Sequence, residues 1–277
     1  MDTAGFETLH VSASEDGRIV RLRFDHGKAN EMGSQQLHEL QRLADRLRAS
    51  QAVALITTST KTSSRGTPIF QAGANVTERV GWSNDEVKAH VRWQRDVLGT
   101  LRRAPVFHIV VVEGMALGWG TEYLLVGDYR IATPAARFAL PETGLGILPG
   151  AGGTSELWSQ IGAPQALRLG MTGERIDAAE AHRIGLVQEL AADHDTALAR
   201  AEALAALTAR RSPTSLASFK AALLDSVGAH EGDRTESEAA AYEVCVDAGE
   251  AAIGREHFAA IRSGGVPPWG PRQGGQG

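Results

Sequence analysis

The pattern of apolar and polar positions in the first half of the chain changes between strand spacing and helix spacing. Apolar and polar residues alternate in RIVRLRF, residues 18–24, which predicts a strand. After the polar break DHGKANEMG, leucines recur at helical spacing from Leu37 to Leu47 and predict an amphipathic helix. The short apolar run at residues 52–58 predicts another strand, and a strand end at residues 69–71 runs into Gly73.

A long helix and a glycine-rich central stretch follow. Ser83 or Asn84 can cap a helix that ends before Pro105. Residues 105–154 then contain an apolar strand, a glycine-bounded turn, a helix, a second strand and a glycine-dense loop. Glu122 and Glu142 each lie in this stretch close to glycine-rich chain. Paired carboxylates beside exposed backbone N–H groups indicate acid–base chemistry next to an oxyanion.

The remaining chain is mainly helical. Two short glycine-ended helices are predicted after residue 154, then a helix capped by Asp177, and a final short strand at residues 186–190. Alanine-rich helical segments are predicted at 195–210, 213–227 and 235–252, with a polar loop at 228–233. We therefore predict an α/β core over residues 1–195, a helical region over 196–265 and a flexible tail over 266–277.

Composition narrows the functional classes. The 277 residues are 43% hydrophobic and 22% charged with a net charge of -5, which gives no electrostatic reason to expect nucleic acid binding. The single cysteine, Cys245, excludes an internal disulfide framework and suits a reducing compartment. The N-terminus lacks a targeting pattern, and no stretch approaches the roughly 18 apolar residues of a membrane span. We expect a cytoplasmic protein without a membrane partner.

Four motifs in order carry a resemblance to a known family. They are FQAGANV at 70–76, GMALGWGTE at 114–122, PE at 141–142 and GILPGAGGT at 146–154. With LGMTGERIDA at 169–178, the chain resembles the crotonase superfamily, and more narrowly an enoyl-CoA hydratase/isomerase, over roughly Arg18 to Arg262. The resemblance implies a spiral of β-β-α units, a helical C-terminal trimerisation region, and a homo-oligomer that is a trimer or a dimer of trimers.

The resemblance also assigns roles to individual residues. The backbone N–H groups of Ala74 and Trp119 match the oxyanion-hole donors, and Glu122 and Glu142 match the catalytic carboxylates. The N–H of Gly150 matches a helix-start donor near the second carboxylate. An enolate-like state with two donors and two carboxylates needs neither a metal ion nor a cofactor.

Further positions are expected to line the substrate site. They are Ala29, Ala72, Gly73, Gly118 and Gly150. The implied substrate is a small-molecule acyl thioester, carried either on coenzyme A or on the pantetheine arm of a carrier protein.

The sequence departs from the family pattern at several positions. Trp119 stands where the middle glycine of three is usual, Asn75 replaces Asp, and Glu113 replaces Asn or Asp. The Lys/Arg-rich run that often helps bind nucleotide phosphates is absent at residues 261–265. The Trp119 indole can point into the core or into the cleft. We adopt the hypothesis that it narrows the acyl pocket, because the turn is tight and positive φ would strain a tryptophan.

Three functions remain open at this level. The first is hydration of an enoyl thioester, the second is isomerisation with Glu142 alone as the proton shuttle, and the third is a non-catalytic role in thioester binding or assembly. His108 lies within an apolar strand, which favours a core residue over a base. The histidines at 90, 182 and 257 lack metal-ligand spacing, so no metal site is expected.

Overall fold

The computed structural model describes residues 1–273. Its strands are β1 (Leu9–Ala13), β2 (Ile19–Phe24), β3 (Ala54–Ser59), β4 (Ile69–Gln71), β5 (Phe107–Val112), β6 (Met115–Leu117), β7 (Tyr129–Ala132), β8 (Arg137–Ala139), β9 (Ile176–Asp177) and β10 (Glu189–Leu190). Its helices are α1 (Ser34–Ala49), α2 (Asn84–Arg102), α3 (Trp119–Leu124), α4 (Leu157–Ile161), α5 (Ala163–Thr172), α6 (Ala178–Arg183), α7 (His194–Ala209), α8 (Pro213–Ser226), α9 (Glu231–Asp247), α10 (Glu250–Glu256) and α11 (Phe258–Arg262).

The strands form two sheets. The larger has the order β1-β2-β3-β5-β7-β10 and the smaller the order β4-β6-β8-β9. All neighbours are parallel except the antiparallel pairs β1–β2 and β8–β9. Three successive units each place one strand in the larger sheet, the next in the smaller sheet, and then a helix. This is the predicted β-β-α spiral.

The centre of the larger sheet is buried on both faces. One face of β3 and β5 packs on the main core, and the other packs on α7. Helix α7 contacts the sheet through three fully buried alanines, Ala197, Ala201 and Ala205. These positions are spaced by four residues and lie on one helix face, and their small side chains let the helix approach the sheet closely.

Local patterns predicted many elements correctly. Strands β2 and β3, helices α1 and α2, and the Asp177 cap of α6 are confirmed. The cap of α2 is Ser83, whose side chain accepts from the Glu86 N–H. The prediction missed β1 and also β6, which lies inside the expected glycine turn. The final strand covers only Glu189–Leu190, and α9 begins at Glu231 within the expected polar loop.

The helical C-terminal region is fixed to the core by a partly buried ion pair. Lys220 Nζ on α8 lies 2.7 Å from Asp128 Oδ2 and donates to the Val106 carbonyl at 2.8 Å. Helix α9 packs on α8, but none of its side chains is fully buried among residues 1–273. Large apolar side chains therefore remain exposed in this region, among them Phe219, Leu223, Tyr242 and Phe258.

The expected flexible tail is described only as far as Gln273, and residues 274–277 lie outside the described part. Within it, Arg272 donates to the carbonyls of Leu47 at 3.1 Å and Ala52 at 3.0 Å. The Gln273 N–H donates to Thr214 Oγ1 at 3.0 Å. Across residues 1–273, no helix combines the length and apolar character that crossing a membrane requires.

Candidate active site

The turn before α3 brings the two predicted carboxylates into one region. Gly118 has φ +53° and donates its N–H to the Ala139 carbonyl at 2.8 Å. A Cβ on Gly118 would lie 2.7 Å from Glu142 Oε1, so a side chain there would displace this carboxyl. A Cβ on Gly120 would lie 2.3 Å from the Gln71 carbonyl oxygen. Gly118 is therefore required by its backbone conformation, and Gly120 by the close approach of the Gln71 backbone.

Glu122 lies on α3 and is 3% exposed. Its Oε1 accepts hydrogen bonds from the N–H groups of Ala151 at 2.7 Å and Gly153 at 2.9 Å. Burial raises the pKa of Glu122 to about 7, while these two N–H groups oppose the rise. The charge of Glu142 raises the pKa further and that of Arg95 lowers it. Glu122 is therefore poised to exchange a proton near neutral pH.

Glu142 lies in a 3₁₀ turn, Pro141–Leu145, and is 9% exposed. Its Oε2 is buried and makes no hydrogen bond to any group among residues 1–273. Burial raises the pKa of this carboxyl, which favours its neutral form. Gly118 lies between the two glutamates, because its carbonyl accepts the Glu122 N–H at 3.0 Å and a Cβ on it would lie 2.7 Å from Glu142 Oε1. The hydrogen-bonding environments of the two carboxyls differ.

The two predicted oxyanion donors belong to neighbouring segments. A Cβ on Gly73, which has φ +111°, would lie 3.4 Å from the Leu117 carbonyl oxygen, so the loop carrying Ala74 abuts the turn carrying Trp119. Neither the Ala74 N–H nor the Trp119 N–H donates to another group within the described residues. Two unengaged donors next to the carboxylates are what a developing oxyanion requires.

Other predicted substrate-site positions hold the Ala74 loop in place. The Ala72 N–H donates to the Ala29 carbonyl at 3.1 Å. Gly73 exchanges two hydrogen bonds with the Gln71 side chain, at 2.9 Å through its N–H and 3.1 Å through its carbonyl. Gln71 is fully buried and was not predicted as a site residue. The sequence signal that could have identified Gln71 is a polar side chain at the end of an apolar strand.

Gly150 differs from its expected geometry. Helix α4 begins only at Leu157, so Gly150 is not at a helix start. The loop N–H groups that bond a predicted catalytic carboxylate are those of Ala151 and Gly153, and they bond Glu122. Gly150 instead accepts a hydrogen bond at its carbonyl from Arg95 Nε at 3.0 Å. Its contact with substrate stays a prediction.

The hypothesis that Trp119 narrows the acyl pocket is wrong. The indole is 2% exposed and belongs to the main hydrophobic core, where it packs on Tyr123 one helical turn later. The strain argument also fails, because among residues 1–273 only Asn30 has positive φ without being a glycine. Gly118 takes the positive φ of the turn, and Trp119 begins α3 with an ordinary helical backbone.

His108 is a core residue, as predicted. It is fully buried, and its Nε2 lies 2.8 Å from Thr57 Oγ1. Burial lowers its pKa to about 3, so it stays neutral at ordinary pH. Within the described chain, no cluster of three or more His, Cys, Asp or Glu side chains is arranged to hold a metal ion.

Comparison with known proteins shows which sequences this chain is similar to. A sequence model of the family described as enoyl-CoA hydratase/isomerase matches residues 15–263. YngF of Bacillus subtilis (strain 168), a candidate enoyl-CoA hydratase/isomerase, is 37% identical over 196 residues, covering 70% of this chain and 73% of its own.

Solved structures agree with the predicted crotonase-like fold. An enoyl-CoA hydratase from Bacillus anthracis superposes with a TM-score of 0.85 at 28% identity, over 95% of this chain and 99% of that one. DspI of Pseudomonas aeruginosa superposes with a TM-score of 0.84 at 30% identity, over 97% of this chain and 100% of that one. The α/β spiral with C-terminal helices is therefore confirmed.

Proposed function

Because the chain belongs to the enoyl-CoA hydratase/isomerase family, we propose that it is a hydro-lyase that adds water to an α,β-unsaturated acyl thioester or removes it. The observation that carries this proposal is the pair of buried carboxyls, Glu122 and Glu142, both with raised pKa. One proton acceptor and one proton donor are what hydration needs, and two unengaged N–H groups lie beside them.

The environments of the two glutamates suggest which is the base. Glu122 accepts two backbone N–H hydrogen bonds, which favour its ionised form against the effect of burial. Glu142 Oε2 has no donor among residues 1–273, so burial favours its protonated form. We assign Glu122 as the base that activates water and Glu142 as the acid that protonates Cα.

The reaction balances with these roles. Glu122 takes a proton from water as the water oxygen bonds to Cβ. The electron pair of the double bond moves through Cα to the thioester oxygen, where the N–H groups of Ala74 and Trp119 stabilise the charge. Collapse of the enolate forms the Cα–H bond with the proton of Glu142. The proton gained by Glu122 and the proton lost by Glu142 are re-equilibrated with solvent.

The substrate proposed is the thioester itself, on coenzyme A or on a carrier-protein pantetheine arm. Both carriers present the same carbonyl to the Ala74 and Trp119 donors. The scheme assigns every proton transfer to Glu122 and Glu142 and the oxyanion to backbone donors. We therefore propose that the reaction proceeds without a cofactor or metal ion.

Isomerisation is the second candidate function. Glu142 Oε2, without a hydrogen bond in the described chain, is the site oxygen most available to remove a proton from Cα and return it at Cγ. In that reaction Glu122 would be dispensable. A third possibility is thioester binding without turnover.

A pair of assays separates these functions. Hydration of a short trans-2-enoyl-CoA lowers the absorbance of the conjugated thioester, whereas isomerisation of a 3-enoyl-CoA raises it. The proposal predicts turnover of the first substrate that depends on both glutamates. Turnover of the 3-enoyl substrate alone would support isomerisation, and binding without either turnover would support the non-catalytic role.

Assembly and location are also proposals. The exposed apolar side chains on α8, α9 and α11 favour a homo-oligomer, most simply one built from trimers as in the resemblance. The single cysteine and the net charge of -5 favour a cytoplasmic enzyme without nucleic acid or membrane partners.

A further inference from the structure

Helix α2 supports the glycine loop at two successive turns. Val91 Cγ1 would lie 2.7 Å from a Cβ placed on Gly150, so the helix surface touches the loop backbone there. One turn later, Arg95 Nε donates to the Gly150 carbonyl oxygen at 3.0 Å. The two residues share one helix face, because they are four positions apart. Residues outside the motifs thus fix the position of Gly150.

The contact made by Arg95 continues to Glu122 through one peptide group. The Gly150 carbonyl and the Ala151 N–H belong to the same peptide unit. Arg95 bonds its oxygen end, and its N–H end donates to Glu122 Oε1 at 2.7 Å. A peptide whose oxygen accepts a bond from a cation becomes a stronger N–H donor, because the two hydrogen bonds polarise each other.

We propose that Arg95 is a positioning residue for the reaction at Glu122, acting through the Gly150–Ala151 peptide to orient that carboxylate and stabilise its ionised form. The inference rests on the proposed function, in which Glu122 is the base. Arg95 itself does not contact the reacting atoms. Its contribution is to keep the Ala151 N–H aimed at Oε1 and to place a positive charge behind it.

The charges and hydrogen-bond donors around Glu122 determine whether loss of Arg95 makes this carboxyl easier or harder to protonate. Arg95 favours the ionised carboxylate and Glu142 disfavours it, while the N–H groups of Ala151 and Gly153 favour it. Loss of Arg95 therefore leaves Glu122 easier to protonate. Arg95 is solvent-exposed, so the electrostatic effect is that of a partly screened charge. We expect the acidic limb of the pH–kcat profile to move upward by about half a pH unit.

Three variants test this proposal. Arg95→Gln removes the charge, Arg95→Lys keeps the charge but loses the guanidinium geometry, and Arg92→Gln is the matched control. Arg92 is exposed on the same helix, and its substitution changes the net charge equally. The readouts are kcat and KM for a short trans-2-enoyl-CoA between pH 5 and 9, together with Tm.

The expected results are specific to Arg95. Arg95→Gln moves the acidic limb upward and lowers kcat below neutral pH by about threefold with little change in KM. Arg95→Lys restores part of the shift, and Arg92→Gln keeps the wild-type profile. The proposal is overturned if Arg95→Gln keeps the wild-type profile, or if Arg92→Gln moves the limb equally. It is also overturned if Arg95→Gln lowers only Tm and leaves the limb in place.

A second readout does not depend on turnover. Infrared difference spectra of the free protein follow protonation of Glu122, with Glu122→Gln as the reference. The proposal predicts a higher titration midpoint in Arg95→Gln than in wild type, and equal midpoints would contradict it. If wild type fails to hydrate the substrate while the midpoint still shifts, the proposed function fails and the Arg95 contact stands.

Discussion

The indole of Trp119 packs against the ring of Tyr123, with centroids 5.6 Å apart and planes inclined by 31°. Tyr123 in turn contacts Phe24 at 5.2 Å, so Trp119 is part of the aromatic core under the site. Its N–H serves the proposed oxyanion hole, while its side chain stabilises the fold. The backbone and the side chain of Trp119 therefore have separate roles, which substitution of the side chain can test.

Trp119→Gly should lower stability rather than change acyl selectivity. Removing a buried tryptophan costs about 3–5 kcal/mol of unfolding free energy, because it leaves a cavity. We expect a lower Tm and an equal fall in kcat/KM for every acyl length in a series. Trp119→Phe should keep Tm and kcat/KM close to the wild-type values. Improved turnover of bulkier acyl chains at unchanged Tm would instead place the indole in the cleft.

Glu122 should make stability depend on pH. Its pKa is raised in the folded state from 4.5 to about 7, so the folded protein binds more protons than the unfolded chain between these values. Unfolding free energy should therefore fall as pH rises through this window, by roughly 3 kcal/mol from this group. Urea unfolding at pH 5 and pH 8 measures this decrease in unfolding free energy.

The control for this prediction is Glu122→Gln, in which the titrating carboxyl is absent. The difference in unfolding free energy between pH 5 and pH 8 should be smaller in the variant than in wild type. Equal pH dependence in both proteins would show that Glu122 does not titrate with a raised pKa.

The Lys220–Asp128 pair should contribute to the attachment of the C-terminal helices. Lys220→Met leaves the Asp128 carboxylate without its cation. The backbone N–H of His108 still donates to this carboxylate at 2.8 Å. We expect a loss of about 2 kcal/mol, less than for a fully buried pair because both side chains keep some exposure. Lys88→Met, which breaks an exposed pair with Asp85, should cost under about 0.5 kcal/mol. Equal costs in chemical denaturation would contradict this account.

The apolar surface of the C-terminal helices predicts self-association. Phe219, Tyr242 and Phe258 are all exposed, and no residue of α9 is fully buried within the described chain. Light scattering at micromolar concentration should give a mass near three or six chains. Tyr242→Glu together with Phe219→Glu should shift the mass towards the monomer. A wild-type protein that stays monomeric over this range would rule the prediction out.

The sequence pattern predicted the elements whose own residues carry a helical or strand periodicity. The leucines of α1 and the alternation in β2 give helix and strand directly. Strand β6 has only three residues and forms because β4 and β8 lie on either side of it. Strand β1 depends likewise on its antiparallel pairing with β2.

In the candidate site, likewise, residues within motifs were predicted, whereas contacts between distant segments were not. Motif resemblance predicted Glu122 and Glu142 as the site carboxylates, but not which loop donors would bond Glu122. The identity of Ala151 and Gly153 depends on how the loop folds against α3. Arg95 lies on α2, outside every motif in the sequence, although it contacts Gly150 in the folded chain. The orientation of the Trp119 indole depended on which residue of the turn takes positive φ, and the sequence left that open.

In the proposed reaction, Glu122 and Glu142 act together to hydrate an enoyl thioester. Removing a positioned acid or base usually lowers the rate by about 10² or more. Glutamine keeps the shape of each side chain, so Glu122→Gln and Glu142→Gln test proton transfer with little change in packing. Near-UV circular dichroism and Tm check that each variant stays folded.

The most direct measurement is kcat/KM of these two variants and wild type for hydration of a short trans-2-enoyl-CoA, followed by loss of the conjugated thioester absorbance. We predict turnover by wild type and a loss of about 100-fold or more in each variant. Full turnover by Glu122→Gln, with activity abolished only in Glu142→Gln, would contradict paired-carboxylate hydration.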